Sequence, residues 1–367
     1  MTPNDSTQTA VGKSFDEMVA IDMLMHWDVQ GYRGHMPATS KADVEAWHPY
    51  KARSAREMFE NLREGGVTTA HASVAIWHNA RDALNIVANW RHQILDSSDL
   101  VTQIRSVADI EEAKAQNRTG ILLGFQNSDP LENDLNLVGA FRDLGVLCVQ
   151  LSYNQQNGIA GGSWDEHDGG VTRIGKNVIR EMNEVGMLID LSHCGERTCL
   201  DTIQHSEKPV AVTHANPVEF SQRDDWTSYR NSRNKTNTVL KELADAGGML
   251  GLTTYTRLLP DREDTTLERF CEMAEWTAEL IGIEHLGFGS DYGYGYNDID
   301  RAWVRQGKWS RDAIIQYEPL QFDHPAWAGP TGMRTIADAL LARGWSNEDV
   351  SAFMGGNWLR LLGEVVG

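Results

Sequence analysis

Short apolar runs alternate with amphipathic stretches along most of the chain. Eight of these runs are four to ten residues long, and most are rich in valine, isoleucine and leucine, with apolar neighbours on both faces. This pattern is typical of strands in a parallel sheet that helices cover on both sides. The predicted strands are Met18–Met25, Val67–Ile76, Gly120–Phe125, Val146–Ser152, Met187–Leu191, Val210–Thr213, Gly248–Thr253 and His285–Gly289.

The segments between these runs carry helical periodicity, often after a serine, threonine or aspartate that can cap a helix. Eight strand-then-helix units in order favour an α/β fold of the (β/α)8 barrel type. The alternative is a doubly wound open sheet, but the glycine-rich phosphate loop that would favour it is absent from the sequence. Helices are predicted at Ser54–Glu64, Ala80–Leu95, Ala108–Gln116, Asp134–Leu144, Gly175–Val185, Glu196–His205, Thr238–Ala246, Leu267–Ile281 and within Thr335–Leu362.

We therefore expect one barrel domain over residues 1–367, in which residues 1–17 form a polar tail and extra helices lie at both ends. Two long loops interrupt the pattern. The segment Asn154–Gly170 is rich in glycine, and Tyr292–Thr331, after the eighth strand, is dense in aromatic residues. Loops of this length in a compact domain usually form lids or binding segments, and the alternative is an oligomer contact.

Composition narrows the class of function. The 367 residues carry 33 basic and 52 acidic side chains, a net charge of −19, so we expect no nucleic-acid partner. The sequence has no apolar run of membrane-spanning length and no apolar segment near its start, so we expect neither a membrane span nor a secretory signal. Its four cysteines form no paired framework, which favours a reducing compartment and a cytoplasmic location.

Polar residues that can bind a metal follow four of the predicted strands. His26 and Asp28 follow the first strand at a spacing that places both on one face, His193 follows the fifth, His214 the sixth and Asp291 the eighth. The carboxyl ends of barrel strands form the active site, so we expect these five side chains to converge. Nitrogen and oxygen ligands of this kind suit zinc, with manganese, iron or cobalt as alternatives.

Longer stretches around these residues resemble the membrane (renal) dipeptidase family of the amidohydrolase superfamily. The resemblance covers roughly Ile21 to Leu362 and is strongest in the run from Arg180 to His193. It extends to the segments Pro209–His214, Ser232–Asn234, His285–Asp291 and Gly355–Arg360.

The resemblance implies a binuclear zinc barrel that hydrolyses dipeptides. By matching of residues, His26 and Asp28 would hold one metal, and His193 with His214 the other. Asp291 would also contact the metal and serve as general base, and Arg233 would bind a substrate carboxylate.

Three positions depart from the family pattern. Gln126 stands where the family has a glutamate that bridges both metals, and Tyr153 stands where it has a histidine that polarises the scissile carbonyl. Leu24 replaces an aspartate two residues before the first histidine, although Asp22 lies four before it. A neutral amide leaves one positive charge uncompensated in a binuclear site, so we expect one or two ions per chain and favour one.

These features predict a metal-dependent amidohydrolase that cleaves a C–N bond of a small substrate bearing a carboxylate. Tyr153 would donate a hydrogen bond to the developing oxyanion, and Gln126, Tyr153, Asn154 and Arg233 would bind the substrate. The alternatives are a mononuclear metal-dependent decarboxylase or other lyase, and a non-catalytic binding protein derived from a dipeptidase. We expect a small molecule as partner and leave a homo-oligomer open.

Overall fold

The computed structural model describes residues 14–27, 55–221, 233–294 and 325–367. This part of the chain contains ten strands in one sheet, and every pairing between neighbouring strands is parallel. The strands are β1 (Ile21–Trp27), β2 (Thr69–Ala75), β3 (Val101–Gln103), β4 (Thr119–Phe125), β5 (Val146–Gln150), β6 (Leu188–Asp190), β7 (Ala211–Ala215), β8 (Met249–Leu252), β9 (Leu286–Phe288) and β10 (Tyr292–Tyr294).

The strand order closes the sheet into a (β/α)8 barrel, which confirms the predicted fold class. The ring runs β1-β2-β4-β5-β6-β7-β8-β9, and the chain leaves β9 to form β10, which pairs with β1. Each of the eight predicted strands is present. The prediction missed β3, which pairs with β4 outside the ring, and β10, which occupies the start of the loop predicted at Tyr292–Thr331. Residues 295–324 of that loop lie outside the described ranges.

Helices follow the strands and cover the outside of the barrel. No helix in the described ranges is long and apolar enough to cross a membrane. The helices are α1 (Ala55–Glu64), α2 (Ala80–Asp96), α3 (Val107–Ala115), α4 (Leu135–Asp143), α5 (Arg173–Val185), α6 (Glu196–His205), α7 (Val218–Ser221), α8 (Asn237–Asp245), α9 (Leu267–Ile281), α10 (Gly332–Ala342), α11 (Asn347–Ser351) and α12 (Asn357–Val365).

The helix α5 illustrates how local sequence sets these elements. The Thr172 hydroxyl accepts a hydrogen bond from the Gly175 N–H and caps the first turn. Gly186 ends the helix in the left-handed region, at φ +72°, where a residue without a side chain is least strained. The chain can then turn directly into β6, which carries it to the end of the barrel where His193 lies.

The opposite end of the barrel is closed by α12. The buried Trp358 donates its indole N–H to the Phe288 carbonyl over 3.1 Å, and Asn357 donates to the Leu286 carbonyl over 2.8 Å. Both carbonyls belong to β9, so the helix is fixed to the barrel by directional bonds as well as by apolar packing. Trp358 packs in a separate apolar cluster with inward-facing strand residues such as Met23 and Leu122. This packing leaves the carboxyl ends of the strands as the open end.

Candidate active site

The structure brings most of the predicted site residues to one end of the barrel. All of them except Arg233 lie in the last part of a strand or in the residues that directly follow it, so parallel strands deliver them to the same edge. Asp28, the fifth predicted ligand, lies outside the described residues. The residues placed at this end are His26 in β1, Gln126 after β4, Tyr153 and Asn154 after β5, His193 after β6, His214 in β7, Arg233 before α8, and Asp291 between β9 and β10.

Two histidines face each other across this end of the barrel. The Nε2 atoms of His193 and His214 lie 3.1 Å apart, and both rings are buried. Burial lowers the pKa of each imidazole well below its ordinary value, and the positive charge of Arg233 lowers both further. Both rings are therefore neutral at pH 7, which is the form in which histidine binds a metal.

The other nitrogen of each ring is already engaged. Nδ1 of His193 lies 2.6 Å from the Asn154 amide oxygen, and Nδ1 of His214 lies 2.8 Å from the Thr213 hydroxyl. An amide oxygen only accepts, so His193 donates through Nδ1 and keeps a lone pair on Nε2. Asn154 was predicted to bind substrate. In the structure its amide oxygen orients the His193 ring. It does so from the left-handed region, at φ +60°, which asparagine tolerates better than most residues.

The geometry of the histidine pair fits a divalent cation. Two nitrogen ligands of one tetrahedral zinc ion lie about 3.3 Å apart, since each Zn–N bond is about 2.0–2.1 Å long. The distance between the two Nε2 atoms, 3.1 Å, is close to this value. Within the described ranges no three histidine, cysteine, aspartate or glutamate side chains group closely enough to hold an ion. His193 and His214 therefore fit as two ligands of a cation, not as a complete site.

A second pair of polar side chains, His26 and Asp291, connects β1 with the turn between β9 and β10. His26 Nε2 lies 3.1 Å from Asp291 Oδ1, which brings together two residues that are 265 positions apart in sequence. Asp291 has φ +57°, an uncommon conformation for a residue with a side chain. Its N–H donates to the Leu24 carbonyl over 2.9 Å, which ties the strained turn to β1. Strain of this kind persists only where the surrounding bonds over-determine it, and it concentrates at functional sites.

Asp22 supports the same turn from inside the barrel. Its Oδ1 accepts hydrogen bonds from the N–H groups of Ser290, at 2.8 Å, and Leu24, at 3.1 Å. Its Oδ2 makes no hydrogen bond with any described residue. Burial raises the pKa of Asp22 to about 7, against the opposing effect of the bond from Ser290. The aspartate four residues before His26 thus holds the segment that carries Asp291.

Gln126 lies beside the histidine pair and is fully buried. Its Nε2 is 3.2 Å from His214 Nε2, and its Oε1 accepts a hydrogen bond from the Ser73 hydroxyl over 2.8 Å. In this orientation the amide donates to the lone pair that His214 would offer to a metal. Rotation of the amide by half a turn would present its oxygen there instead, since Ser73 can accept as well as donate.

Tyr153 packs flat against one of the two histidines. The rings of Tyr153 and His193 stack at 4.0 Å with an interplanar angle of 20°. Trp77, which follows β2, makes an edge-to-face contact with Tyr153, with ring centroids 5.2 Å apart. Trp77 was not among the predicted site residues, although its place just beyond a predicted strand was a usable signal. These two aromatic rings form an apolar wall beside the histidine pair.

Arg233 is buried in the same region, with an exposed fraction of 5%. Nη1 donates to the Ser192 carbonyl over 2.7 Å, whereas Nη2 has no hydrogen-bond partner in the described part of the chain. Burial lowers the pKa of Arg233, and the carboxylates of Asp291 and Asp190 oppose this shift. An uncommitted N–H group on a buried guanidinium is costly, and an anionic ligand would satisfy it.

Cys194 does not take part in this chemistry. Burial raises the pKa of its thiol to about 12, so a thiolate is absent at neutral pH. The Ser152 hydroxyl lies 3.4 Å from its sulfur and the side chain packs in the core. Cys194 is therefore a packing residue.

The barrel, the strand-end histidines and the buried arginine define a hydrolase of the amidohydrolase class. Residues 17–301 match the family model described as "Membrane dipeptidase (Peptidase family M19)". That match spans more than half of the chain, which therefore belongs to this family.

Curated relatives and solved structures support this membership. The chain is 26% identical to dipeptidase aclJ of Aspergillus oryzae over 273 residues, which are 73% of this chain and 57% of the relative. It is 28% identical to dipeptidase verJ of Clonostachys rogersoniana over 197 residues, 53% of this chain and 48% of the relative. The chain thus spans about half the length of these relatives.

Among solved structures, an amidohydrolase from Pseudomonas aeruginosa is 30% identical, with a TM-score of 0.82 over 96% of this chain and 97% of that one. A metallo peptidase from Rhodobacter sphaeroides, liganded with a phosphinate mimic of the dipeptide L-Ala-D-Ala, is 18% identical. Its TM-score is 0.68 over 83% of this chain and 89% of that one. The second similarity shows the shared fold.

Proposed function

We propose that this protein is a metal-dependent amidohydrolase that cleaves the C–N bond of a small substrate bearing a carboxylate. The observation that carries the proposal is the pair of buried, neutral imidazoles whose Nε2 atoms face each other at 3.1 Å. Two lone pairs at this distance repel each other, and a divalent cation between them removes the repulsion. Family membership supports the same chemistry for peptide-like bonds.

The metal would be held by His193 and His214, with His26, Asp28 and Asp291 as the further ligands. When bound, a divalent ion supplies hydroxide at neutral pH and polarises the scissile carbonyl. Zinc suits this set of nitrogen and carboxylate ligands. The neutral Gln126 in place of a bridging carboxylate favours one ion over two, because a second ion would add uncompensated charge to a buried site.

The protein's own side chains would perform the remaining steps. Asp291 would take a proton from the attacking water and pass it to the leaving nitrogen. Tyr153 would donate a hydrogen bond to the developing oxyanion. Nη2 of Arg233, which has no hydrogen-bond partner among the described residues, would bind the substrate carboxylate. Gln126 would contact an amide or ring edge of the substrate. The wall formed by Trp77 and Tyr153 favours a substrate with an apolar or aromatic group.

A substrate panel tests this proposal. The purified protein, loaded with zinc, is incubated with plain dipeptides, N-acyl amino acids and cyclic amides, and products are identified by mass spectrometry. We expect addition of water across a C–N bond, faster for the cyclic or aromatic amides than for plain dipeptides. Loss of carbon dioxide would identify a lyase instead. Absence of both turnover and bound metal would identify a binding protein, and either result would overturn the proposal.

Two variants assign the roles. Arg233→Ala should lower kcat/KM by about 10- to 100-fold, mainly through KM, because a hydrogen bond to a charged group contributes about 1.5–3 kcal/mol. Asp291→Asn should lower kcat by about 10²- to 10⁴-fold, the usual contribution of general acid–base catalysis. Arg233→Lys is the matched control, since it keeps the charge but loses the planar fork.

A further inference from the structure

The backbone ladder between β6 and β7 ends just before the two histidines. The two strands share one Cα register pair, Asp190 with Ala211, and the Leu191 N–H donates to the Ala211 carbonyl over 2.8 Å. Beyond this pair, backbone N–H groups that follow Ala211 donate to side chains of the neighbouring segment instead of to its backbone carbonyl groups. The Thr213 N–H donates to Asp190 Oδ1 over 3.0 Å, and the His214 N–H donates to the Ser192 hydroxyl over 3.1 Å.

Asp190 is the centre of this arrangement. Its Oδ1 accepts from the N–H and the hydroxyl of Ser192, at 2.9 and 2.5 Å, as well as from the Thr213 N–H. Its Oδ2 accepts from the Thr213 hydroxyl at 2.9 Å. Asp190 is 1% exposed. Ser192 and Thr213 are the residues immediately before His193 and His214, so one buried carboxylate holds both histidine-bearing segments.

The same hydrogen bonds determine which nitrogen of the His214 ring carries the proton. The Thr213 hydroxyl has one proton and lies within hydrogen-bond distance of Asp190 Oδ2, His214 Nδ1 and the Ser192 hydroxyl. The Ser192 hydroxyl donates its own proton to the shorter bond with Asp190 Oδ1. A carboxylate only accepts, so the Thr213 hydroxyl donates its hydrogen bond to Asp190 Oδ2. The Thr213 oxygen must then accept a hydrogen bond from the Nδ1–H group of His214. The lone pair of His214 is thereby placed on Nε2, the atom that faces His193.

We propose that Asp190 is a positioning residue that sets the tautomer of His214 through Thr213 and holds both histidines with their Nε2 lone pairs toward a shared cation. The tautomer part follows from the hydrogen-bond geometry, and its consequence for metal binding rests on the proposed function.

The isosteric variant Asp190→Asn should reverse the direction of the two hydrogen bonds that Thr213 makes with residue 190 and with His214. The amide oxygen stays with the three donors that now reach Oδ1, so the NH₂ group faces Thr213. The Thr213 oxygen then accepts a hydrogen bond from the amide, and the Thr213 hydroxyl donates a hydrogen bond to the lone pair on His214 Nδ1. His214 becomes protonated at Nε2 and can donate to His193 Nε2, 3.1 Å away, which stabilises the metal-free state.

Nitrogen NMR of histidine-labelled, chelator-treated protein reads the tautomer directly. His214 is identified by the resonances that disappear in His214→Gln. We expect the Nδ1–H tautomer in the parent protein and the Nε2–H tautomer in Asp190→Asn. In parallel, cobalt binding is followed by visible absorption, and Asp190→Asn should weaken it about 10- to 100-fold, as is typical when a group supporting a metal ligand is changed.

Asp168→Asn is the matched control. Asp168 also accepts from a threonine hydroxyl and the same residue's N–H, those of Thr198, but it contacts α6 and not the histidines. We expect neither measurement to change. Should Asp190→Asn fail to fold, Thr213→Ser should behave as the parent, whereas Thr213→Val should lose the fixed tautomer and bind cobalt more weakly.

The two measurements separate this inference from the proposed function. The Nδ1–H tautomer in Asp190→Asn, or in Thr213→Val at the parent's full population, would overturn the inference whatever the metal does. If the parent protein has the expected tautomer but binds no cobalt, the inferred effect of Asp190 on the His214 tautomer stands and the metal-dependent function is overturned. Unchanged cobalt affinity in Asp190→Asn would overturn the link between the two.

Discussion

Replacing Asp22 by asparagine should change how stability depends on pH. Burial raises the pKa of this carboxyl from 3.8 to about 7, because the charged form loses its hydration. Between these two values the folded protein holds a proton that the unfolded chain releases. The stabilisation that Asp22 contributes is therefore complete below pH 3.8 and is lost as the pH rises through 7. Asp22→Asn removes the titrating group and with it this loss.

The shift sets the size of the effect. A difference of about three pKa units corresponds to about 4 kcal/mol in total, of which about 2.5 kcal/mol falls between pH 5 and pH 8. The free energy of unfolding of Asp22→Asn, relative to the parent, should therefore increase by about 2.5 kcal/mol over this interval. Urea unfolding of both chelator-treated proteins at pH 5 and pH 8 measures this difference.

Asp22→Ala separates titration from hydrogen bonding. It should show the same change with pH, because it also lacks the carboxyl group. At both pH values it should be about 1–3 kcal/mol less stable than Asp22→Asn, because the Ser290 and Leu24 N–H groups lose their acceptor. A difference between Asp22→Asn and the parent that stays constant from pH 5 to pH 8 would refute the reasoning.

Four further substitutions test the packing and the site. Gln126→Glu should raise the zinc content after dialysis from one toward two equivalents, measured by elemental analysis; two equivalents in the parent would contradict this. Gly124→Ala should lower thermal stability by about 1–3 kcal/mol, because a Cβ there would lie 2.7 Å from a neighbouring backbone oxygen. Gly139→Ala, in helix α4 with nothing within 4 Å, should instead stabilise by about 0.5–1 kcal/mol. Asn154→Ala should weaken cobalt binding about 10- to 100-fold, since Nδ1 of His193 loses its acceptor, and an unchanged affinity would argue against that role.

The barrel could be predicted from sequence because its strands are buried on both faces. Every residue of β4 is buried, so the run Gly120–Phe125 stood out from the polar segments around it. The helix α9 has both predicted bounds, Leu267 and Ile281, because a capping threonine precedes it and Gly282 follows it. The three-residue strand β3 was missed, since two of its three side chains are only partly buried and three residues are too few to show a period.

The convergence of the candidate site residues at one end of the barrel was predictable for a similar reason. Polar side chains that follow buried strands are conspicuous, and parallel strands carry them to one edge. The groups that orient them were not predictable. The contact of Asn154 with His193 depends on a left-handed backbone, and the role proposed for Asp190 depends on where a ladder of backbone hydrogen bonds ends. Both are properties of the folded backbone that no local sequence pattern specifies.

A crystal structure of the zinc-loaded protein, with anomalous diffraction at the zinc edge, tests the central claim most directly. The claim is that His193 and His214 share a catalytic metal at the carboxyl end of the barrel. We expect an anomalous peak about 2.0–2.1 Å from Nε2 of both rings, with Asp291 close by. Zinc bound only elsewhere on the protein, with the two rings still facing each other at hydrogen-bond distance, would contradict the claim.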